Sequence, residues 1–307
     1  MFFGTPSFAR DILEGLHARH RILALVTQLD KPFGRKKILK KPETKELALE
    51  LGLDYFQPAT SKEIPALLEA IESKAKIEAI IVVAYGKLLP AAVVENYLCI
   101  NLHGSLLPYF RGASPVQHSI MADYQHFGLT VLAMDKGLDT GAILGTQAIA
   151  REEVEGLTID SVFKALVAPG LRLLESVLDS IAKGNASFTP QDESKASHCG
   201  KLGKQEGILD LDKARNCYLR YLALCDRGTS LRVGEALVKV KLEGYEDEGV
   251  YEKSGLILDI DSKKASFSIS CKEGSLWIHE LTPPNRSRMG ALSFLQSLGL
   301  KVGDRLA

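Results

Sequence analysis

The sequence lacks any apolar run long enough to cross a membrane. Its longest strong run, IEAIIVVAY at residues 77–85, falls well short of the ~18 to 20 apolar residues that a membrane-spanning helix needs. The first residues, MFFGTPSFAR, also lack the basic segment and extended apolar core of a secretory signal. These two absences predict a cytoplasmic protein without a membrane partner.

Paired cysteines and an excess of one charge are missing as well. The five cysteines are odd in number and scattered, so they indicate neither a disulfide framework nor a metal site. Lys and Arg total 38, as do Asp and Glu, so no global field draws the molecule towards nucleic acid. We therefore expect a reduced protein without bound metal, in which any basic binding surface is local. The cysteines are Cys99, Cys199, Cys217, Cys225 and Cys271.

The first half alternates short β-rich runs with helical patterns. The chain has 307 residues, which is long enough for two folded domains. Apolar residues make up 46% and charged residues 25%, as is typical of a globular protein. Continuous apolar runs such as 21–28 and 77–85 are typical of strands buried on both faces of a parallel sheet. The stretches 41–52 and 61–74 have helical spacing. We predict an α/β, doubly wound domain over residues 1–190.

Two further parts follow in the predicted organisation. The polar stretch at residues 191–201 is typical of a linker. Over residues 202–307 the pattern changes to alternation of polar and apolar residues, in GEALVKVKLEGY, SGLILDID, ASFSIS and SLWIHEL. Short strands at this spacing with Gly-rich turns predict a small β-barrel or an open sheet.

Two polar side chains end an apolar strand in INLHGSLLPYFRGASPVQHSI, residues 100–120. Alternate residues of a strand share a face, so Asn101 and His103 point together while Leu102 points away. We place the pair at the carboxyl end of a central strand, where open α/β sheets bind ligands. The simpler alternative is that both groups hydrogen-bond to the following loop and only cap the edge of the sheet.

Asp139 is the third polar candidate, in the segment KGLDTGAI. An Asp in such a setting is most often a turn residue, because its side chain bonds its own backbone. The strand that precedes Asp139 should however lie in the same sheet as Asn101 and His103. The loop after that strand can then bring the Asp139 carboxylate into the same cleft. A carboxylate beside an imidazole favours the protonated ring, which suits a general acid–base pair.

Basic residues are concentrated in DKPFGRKKILKK, residues 30–41. Such a run is usually a solvated loop, and this alternative stays open. The segment is longer than most connections in α/β domains, which favours a functional loop whose cations neutralise phosphates. The candidate cations are Arg35, Lys36, Lys37, Lys40 and Lys41.

Five segments, in order and at similar spacing, resemble the folate-dependent formyltransferases. They are FFGTPSFA, TQLDKPFGRKKILKKP, VVAYGKLLP, INLHGSLLPYFRGASPVQHSI and MDKGLDTGAIL, with weaker similarity through LTPPNRSRM near the C-terminus. Asn-x-His-x-Ser-Leu-Leu-Pro together with Asp-Thr-Gly marks the wider family of folate-dependent formyltransferases and hydrolases. The basic loop and the C-terminal strands resemble those of the family branch that formylates methionyl-tRNA.

The resemblance implies a fold, a reaction and a partner. Residues 1–190 would form a Rossmann-like, folate-binding formyltransferase domain, and residues 202–307 an OB-like barrel that contacts tRNA. The formyl group of 10-formyltetrahydrofolate would move to the α-amine of initiator methionyl-tRNA, for translation initiation. Family members usually act as monomers, and their basic loop reaches into the tRNA acceptor end.

The resemblance also implies the site residues. Asn101, His103 and Asp139 fall on the positions of the family's catalytic trio. The loops VAYG, SLLP and GLDTG would form the folate pocket, with backbone groups bonding the pterin edge, although ordinary loop packing would also account for them. The pocket residues are Val83, Ala84, Tyr85, Gly86, Ser105, Leu106, Leu107, Pro108 and Leu138.

The chemistry suits the three residue types. When a neutral amine attacks an N-formyl carbon, a tetrahedral oxyanion develops, and the N–H groups of Asn101 and His103 are suitable donors. The attacking amine must lose a proton, and His103 beside Asp139 is our candidate to carry it. Cys99 shares their strand face and could form a formyl-enzyme, but the amine can attack without it. We expect this thiol to be a small buried hydrophobe.

Other functions remain open. A transformylase acting on a sugar-nucleotide or ribonucleotide amine, or a formyltetrahydrofolate hydrolase, would use the same pocket but leave the basic loop and the C-terminal strands unexplained. A catalytically silent RNA-binding protein would not need the trio. The segment LCDRGTSLRV at residues 224–233 departs from the family's usual Asn-Pro-aromatic-Pro, so the family's barrel–tRNA contact is not carried over to it.

Overall fold

The apolar runs of the first half form strands in a computed structural model of the chain, which describes residues 1–34 and 37–307. The strands of this part are β1 (Phe2–Gly4), β2 (Leu25–Val26), β3 (Lys31–Phe33), β4 (Ile38–Lys40), β5 (Tyr55–Phe56), β6 (Ile80–Val83), β7 (Cys99–His103), β8 (Arg111–Gly112), β9 (Gly128–Ala133), β10 (Ile143–Ala148) and β11 (His198–Cys199). The α-helices of the whole chain are α1 (Ser7–His17), α2 (Glu43–Leu51), α3 (Ile64–Glu72), α4 (Ala91–Asn96), α5 (Pro115–Met121), α6 (Ile159–Ala182), α7 (Ala214–Leu224) and α8 (Ala291–Leu298).

Seven of these strands form one sheet in the order β10-β9-β7-β6-β1-β2-β5. The five strands from β7 to β5 run parallel, and helices connect most of them. β9 and β10 are an antiparallel pair, and β9 also runs antiparallel to β7. This central parallel sheet confirms the predicted α/β, Rossmann-like domain.

Burial of the strands and helices follows the sequence pattern. All four residues of β6 are buried, as a continuous apolar run predicts for a central strand. α1 buries Phe8, Ile12 and Leu16, which lie one above the other at intervals of four residues. α6 is a single helix of 24 residues, although Pro169 lies inside it.

The C-terminal part is an antiparallel sheet domain, as its alternating pattern predicted. Val238 and Val240 are buried, while Lys239 and Lys241 between and after them are exposed. The sheet has the order β12-β13-β16-β15-β14, and β17 pairs with β16. Buried residues of α7 and α8 pack with the sheet's inner face in one hydrophobic core. The strands are β12 (Thr229–Val233), β13 (Ala236–Val250), β14 (Ile257–Asp261), β15 (Ser266–Ser270), β16 (Glu273–Thr282) and β17 (Met289–Gly290).

By packing, the chain divides into two units. One comprises Met1–Pro115, His126–Glu153 and Phe163–Cys199, and the other comprises Val116–Gln125, Val154–Val162 and Gly200–Ala307. These units describe packing alone, and the functional division into 1–190, 191–201 and 202–307 stays a prediction. Within residues 1–34 and 37–307, no helix is long and apolar enough to cross a bilayer.

Candidate active site

Asn101 and His103 lie in the last three residues of β7, between two neighbouring strands. Asn101 is opposite Val82 of β6 on one side and Leu132 of β9 on the other. The strand alternates as predicted, since Asn101 and His103 share a face and Leu102 is buried on the other. His103 is itself buried, whereas Asn101 is partly accessible. The apolar strand therefore carries two polar groups on one face because that face meets a polar loop.

The polar loop lies between β9 and β10 and contains Asp139. Oδ1 of Asp135 accepts hydrogen bonds from the backbone N–H of Gly137, at 2.9 Å, and from the hydroxyl of Thr140, at 2.7 Å. Gly141 is a position that only glycine fits, because a Cβ there would overlap the backbone oxygen of Ala133. Asp139 has a left-handed backbone, with φ at 56°. Hydrogen bonds within the loop therefore fix its backbone conformation.

The carboxylate of Asp139 meets both strand residues. Its Oδ1 accepts a hydrogen bond from Asn101 Nδ2 at 3.3 Å, and its Oδ2 lies 3.7 Å from His103 Nδ1. The backbone N–H of Gly112 donates to the same Oδ2 at 2.8 Å. The structure therefore brings the three predicted catalytic residues together on one face of the sheet.

The imidazole of His103 is oriented by a backbone carbonyl. Its Nε2 lies 3.0 Å from the oxygen of Phe110, and since a carbonyl can only accept, Nε2 carries the hydrogen. Nδ1 is then the ring nitrogen that faces Asp139 and can bind or release a proton there. The distance of 3.7 Å suits an ion pair but is longer than a hydrogen bond.

The predicted folate residues after β6 form a tight turn. Val83 and Tyr85 are buried, while Ala84 and Gly86 are exposed and have φ at 46° and 76°. The carbonyl of Tyr85 accepts from Gln28 Nε2 at 2.7 Å and from the hydroxyl of Thr5 at 3.2 Å. The turn therefore leaves Ala84 and Gly86 exposed, while the carbonyl of Tyr85 is fixed by these two hydrogen bonds.

The predicted folate residues after β7 are tied to Thr130 on β9. The Thr130 hydroxyl donates to the carbonyl of Ser105 at 2.7 Å and accepts from the N–H of Leu107 at 3.0 Å. Ser105, Leu107 and Pro108 are buried, and Leu106 is partly buried. Leu138, in the Asp139 loop, exposes half of its side chain at 50%. The three segments belong to β6, β7 and β9, which are neighbours in the sheet.

The predicted tRNA-binding cations lie on or beside the β3–β4 hairpin. Lys37, Lys40 and Lys41 are exposed, and Lys40 pairs with Glu43. Arg35 and Lys36 lie outside the described residues. The hairpin is connected to the turn after β6, because Lys31 Nζ donates to Gln28 Oε1 at 2.5 Å and Gln28 in turn donates to Tyr85.

Thiols near the site are protonated at neutral pH. Burial raises the pKa of Cys99 to about 12, and its Sγ lies 3.9 Å from the carbonyl of Val93. Burial, together with the negative charge of Asp139, raises the pKa of Cys199 to about 12. Among residues 1–34 and 37–307 there is also no group of three His, Cys, Asp or Glu side chains placed to hold a metal ion.

Sequence reasoning missed three residues that surround the Asp139 loop. Arg111 and Gly112 follow the predicted site within the same quoted segment, and Gln191 lies 52 residues after Asp139 yet donates to its carbonyl. The only available signal for Gly112 was its glycine identity beside a predicted site. Gln191 gave no signal, because its polar surroundings have no periodicity.

Comparison with known proteins gives full-length matches. The chain matches the formyl transferase family over residues 1–166 and the formyl transferase C-terminal domain over residues 201–299. A methionyl-tRNA formyltransferase of Sulfurimonas denitrificans is 38% identical over 314 residues, covering 100% of this chain and 99% of that protein. One of Helicobacter pylori (strain J99) is 38% identical over 313 residues, with the same coverage of 100% and 99%.

Two solved structures share the fold at low sequence identity. HypX from Aquifex aeolicus in complex with tetrahydrofolic acid is 16% identical with a TM-score of 0.66, covering 98% of this chain and 48% of that longer one. The N-formyltransferase from Helicobacter canadensis in complex with folinic acid and dTDP-3-aminofucose is 15% identical with a TM-score of 0.62. That match covers 90% of this chain and 97% of the other.

Proposed function

We propose a methionyl-tRNA formyltransferase activity for this chain, which belongs to the formyl transferase family. The protein transfers the formyl group of 10-formyltetrahydrofolate to the α-amine of methionine on initiator tRNA, for translation initiation. The observation that carries the proposal is the full-length similarity, at 38% identity, to relatives of that name. That similarity covers 100% of this chain, so it includes the basic loop and the C-terminal sheet.

The three loops suit a folate co-substrate, which supplies the activated formyl group. A pterin ring needs apolar walls and backbone groups along its edge. The exposed residues Ala84 and Gly86 are assigned to offer such backbone groups, and the half-exposed Leu138 to offer a wall. We assign Leu106 and the buried residues Val83, Tyr85, Ser105, Leu107 and Pro108 to the same pocket, as its lining and support.

Asn101 is proposed to stabilise the oxyanion. One hydrogen of its amide is held by Asp139 at 3.3 Å, which fixes the plane of the amide. The second hydrogen donates to the formyl oxygen as the α-amine attacks and negative charge develops there. A comparable donor contributes about 2.7 to 4 kcal/mol to transition-state stabilisation elsewhere.

His103 is proposed to move the proton. As the new bond forms between the α-amine and the formyl carbon, Nδ1 of the ring accepts the amine proton. The charged ring is then stabilised by Asp139 Oδ2 at 3.7 Å. The ring returns the proton to the folate nitrogen as the bond between that nitrogen and the formyl carbon breaks, so His103 ends neutral.

The β3–β4 hairpin is proposed to hold the acceptor end of the tRNA. Exposed Lys37 and Lys41 supply positive charge, and the same role is proposed for Arg35, Lys36 and Lys40. The link from Lys31 through Gln28 to Tyr85 connects the hairpin with the folate turn.

The C-terminal sheet is proposed to be an OB-like, tRNA-binding domain over residues 202–307. Lys239 and Lys241 alternate on one face of β13, and Arg288 lies beside Glu280, which also pairs with Lys241. Residues 1–190 would be the folate-binding catalytic domain and residues 191–201 the linker. We further propose that the protein acts in the cytoplasm, because translation initiation takes place in the cytoplasm. A monomeric state is proposed from the resemblance to the family.

The proposal is tested by formyl transfer from labelled 10-formyltetrahydrofolate. Acceptors are initiator methionyl-tRNA, elongator methionyl-tRNA and an amino-sugar nucleotide. We expect transfer to the initiator tRNA alone. Formylation of the amino sugar, or release of formate without transfer to tRNA, would overturn the proposed acceptor while keeping the folate site.

A further inference from the structure

The segment from Thr189 to Cys199 packs against the candidate active site. At its start, Thr189 and Ile143 exchange two backbone hydrogen bonds of 2.8 and 2.9 Å. Near its end, Ser197 donates to the carbonyl of Pro108 at 3.1 Å and accepts from the N–H of Arg111 at 2.8 Å. The segment is therefore fastened both to β10 and to the loop after β7.

Gln191 lies between these two attachments and holds the backbone of the Asp139 loop. Its Nε2 donates to the carbonyl of Asp139 and to the carbonyl of Gly141, each at 2.8 Å. Both hydrogens of the amide are thus directed at this loop. Asp139 has φ at 56°, a left-handed conformation that Asp tolerates better than most non-glycine residues, and the two amide bonds from Gln191 add to its support.

Arg111 fixes the orientation of the Gln191 amide. Its Nε and Nη2 donate to Gln191 Oε1 at 3.0 and 2.8 Å, and because a guanidinium can only donate, the amide cannot rotate by half a turn. Arg111 is only 1% exposed, and its charge is balanced by Glu193 through bonds of 2.9 and 2.6 Å. Asp139 is therefore held at its backbone by Gln191 and at its carboxylate by Gly112, the neighbour of Arg111.

We propose that Gln191 and Arg111 are positioning residues for the transfer reaction. They set the direction of the Asp139 carboxylate towards His103 and Asn101 and touch neither substrate. The inference rests on the proposed function. It assigns residues 191–193 to the active-site framework, so that the proposed linker would begin after them.

The first test compares three single variants. Gln191→Glu keeps the acceptor for Arg111 but turns an oxygen towards the two loop carbonyls, and Gln191→Ala removes the amide without adding charge. Gln147→Glu is the matched control, because Gln147 is exposed on β10 and its amide donates to the carbonyl of its neighbour Ala148. Both Gln191 variants should lose about 10- to 100-fold in single-turnover rate at saturating substrates, as expected when a reacting group is misplaced. The KM values for tRNA and folate should change by no more than about twofold.

A double variant separates positioning from a general structural role. If Gln191 acts through Asp139, adding Gln191→Ala to Asp139→Asn should change the rate by less than about twofold. A further tenfold loss in that background, weaker folate binding in Gln191→Ala, or wild-type rates in the single variants would overturn the positioning role. Absence of transfer by the wild-type protein would instead overturn the proposed function, so the two failures are distinguishable.

Discussion

The backbone N–H of Gly112 donates a 2.8 Å hydrogen bond to Oδ2 of Asp139. The same oxygen lies 3.7 Å from His103 Nδ1, so a backbone group of β8 helps to orient the carboxylate. Gly112 has φ at 111°, and a Cβ at this position would overlap the backbone oxygen of Cys199. Glycine is therefore required here both by conformation and by space.

Gly112→Ala should impair folding stability and transfer together. The strained backbone alone is expected to cost about 1 to 3 kcal/mol, and the overlap must also move β8 away from β11. Urea denaturation and single-turnover transfer measure the two effects. Gly184→Ala is the control, because Gly184 also has a positive φ, of 70°, but open space around its Cβ. Equal losses in the two variants would contradict a special role for Gly112.

Asn101→Ala should slow the chemical step rather than binding. Loss of one oxyanion donor is expected to lower the single-turnover rate about 10²- to 10³-fold, with folate affinity nearly unchanged. The matched control is Asn96→Ala, since Asn96 is exposed on α4 and its amide donates to the carbonyl of Ala92 on the same helix. A wild-type rate in Asn101→Ala would remove this residue from the proposed mechanism.

Combined replacement of Arg35, Lys36 and Lys37 by Ala should weaken use of tRNA and spare folate. Each phosphate contact that is lost should reduce the slope of log affinity against log salt by about 1. The control replaces Lys74 and Lys76, two exposed lysines that precede β6 at the opposite end of the sheet. Equal weakening of tRNA and folate binding would show that the hairpin supports the fold instead.

Cys99→Ala should keep the transfer rate and its pH profile. With a pKa raised to about 12 by burial, the Cys99 thiol carries its proton throughout the range of pH 6 to 9. A mechanism that used this thiolate would gain rate with rising pH, and that gain would vanish in the variant. Superimposable profiles are expected. A formyl-enzyme trapped by acid quench in the wild type would contradict the direct attack by the amine.

The nearness of Asn101, His103 and Asp139 could be predicted because local rules determine it. Strand alternation places Asn101 and His103 on one face, and the pairing of β7 with β9 brings the following loop close to them. Strand β13 could be predicted in the same way, because its buried Val238 and Val240 alternate with the exposed Lys239 and Lys241. The catalytic roles stay proposals, since proximity does not assign a function.

The contacts of Gln191 could not be predicted from the sequence. Its segment, TPQDESKAS, is polar and without period, and such a pattern is typical of a solvated connection. Its contacts run 50 and 52 residues back along the chain to the carbonyls of Gly141 and Asp139. Only the assembled fold brings an amide in a polar stretch against two carbonyls of a distant loop.

The most direct measurement is single-turnover formyl transfer to initiator methionyl-tRNA by His103→Asn, with both substrates saturating. The Asn side chain can still donate to the Phe110 carbonyl but cannot carry a proton. The rate should fall about 10²- to 10⁴-fold, while folate and tRNA affinities stay within about threefold of the wild type. A transfer rate within about threefold of the wild type would contradict His103 as the group that moves the proton.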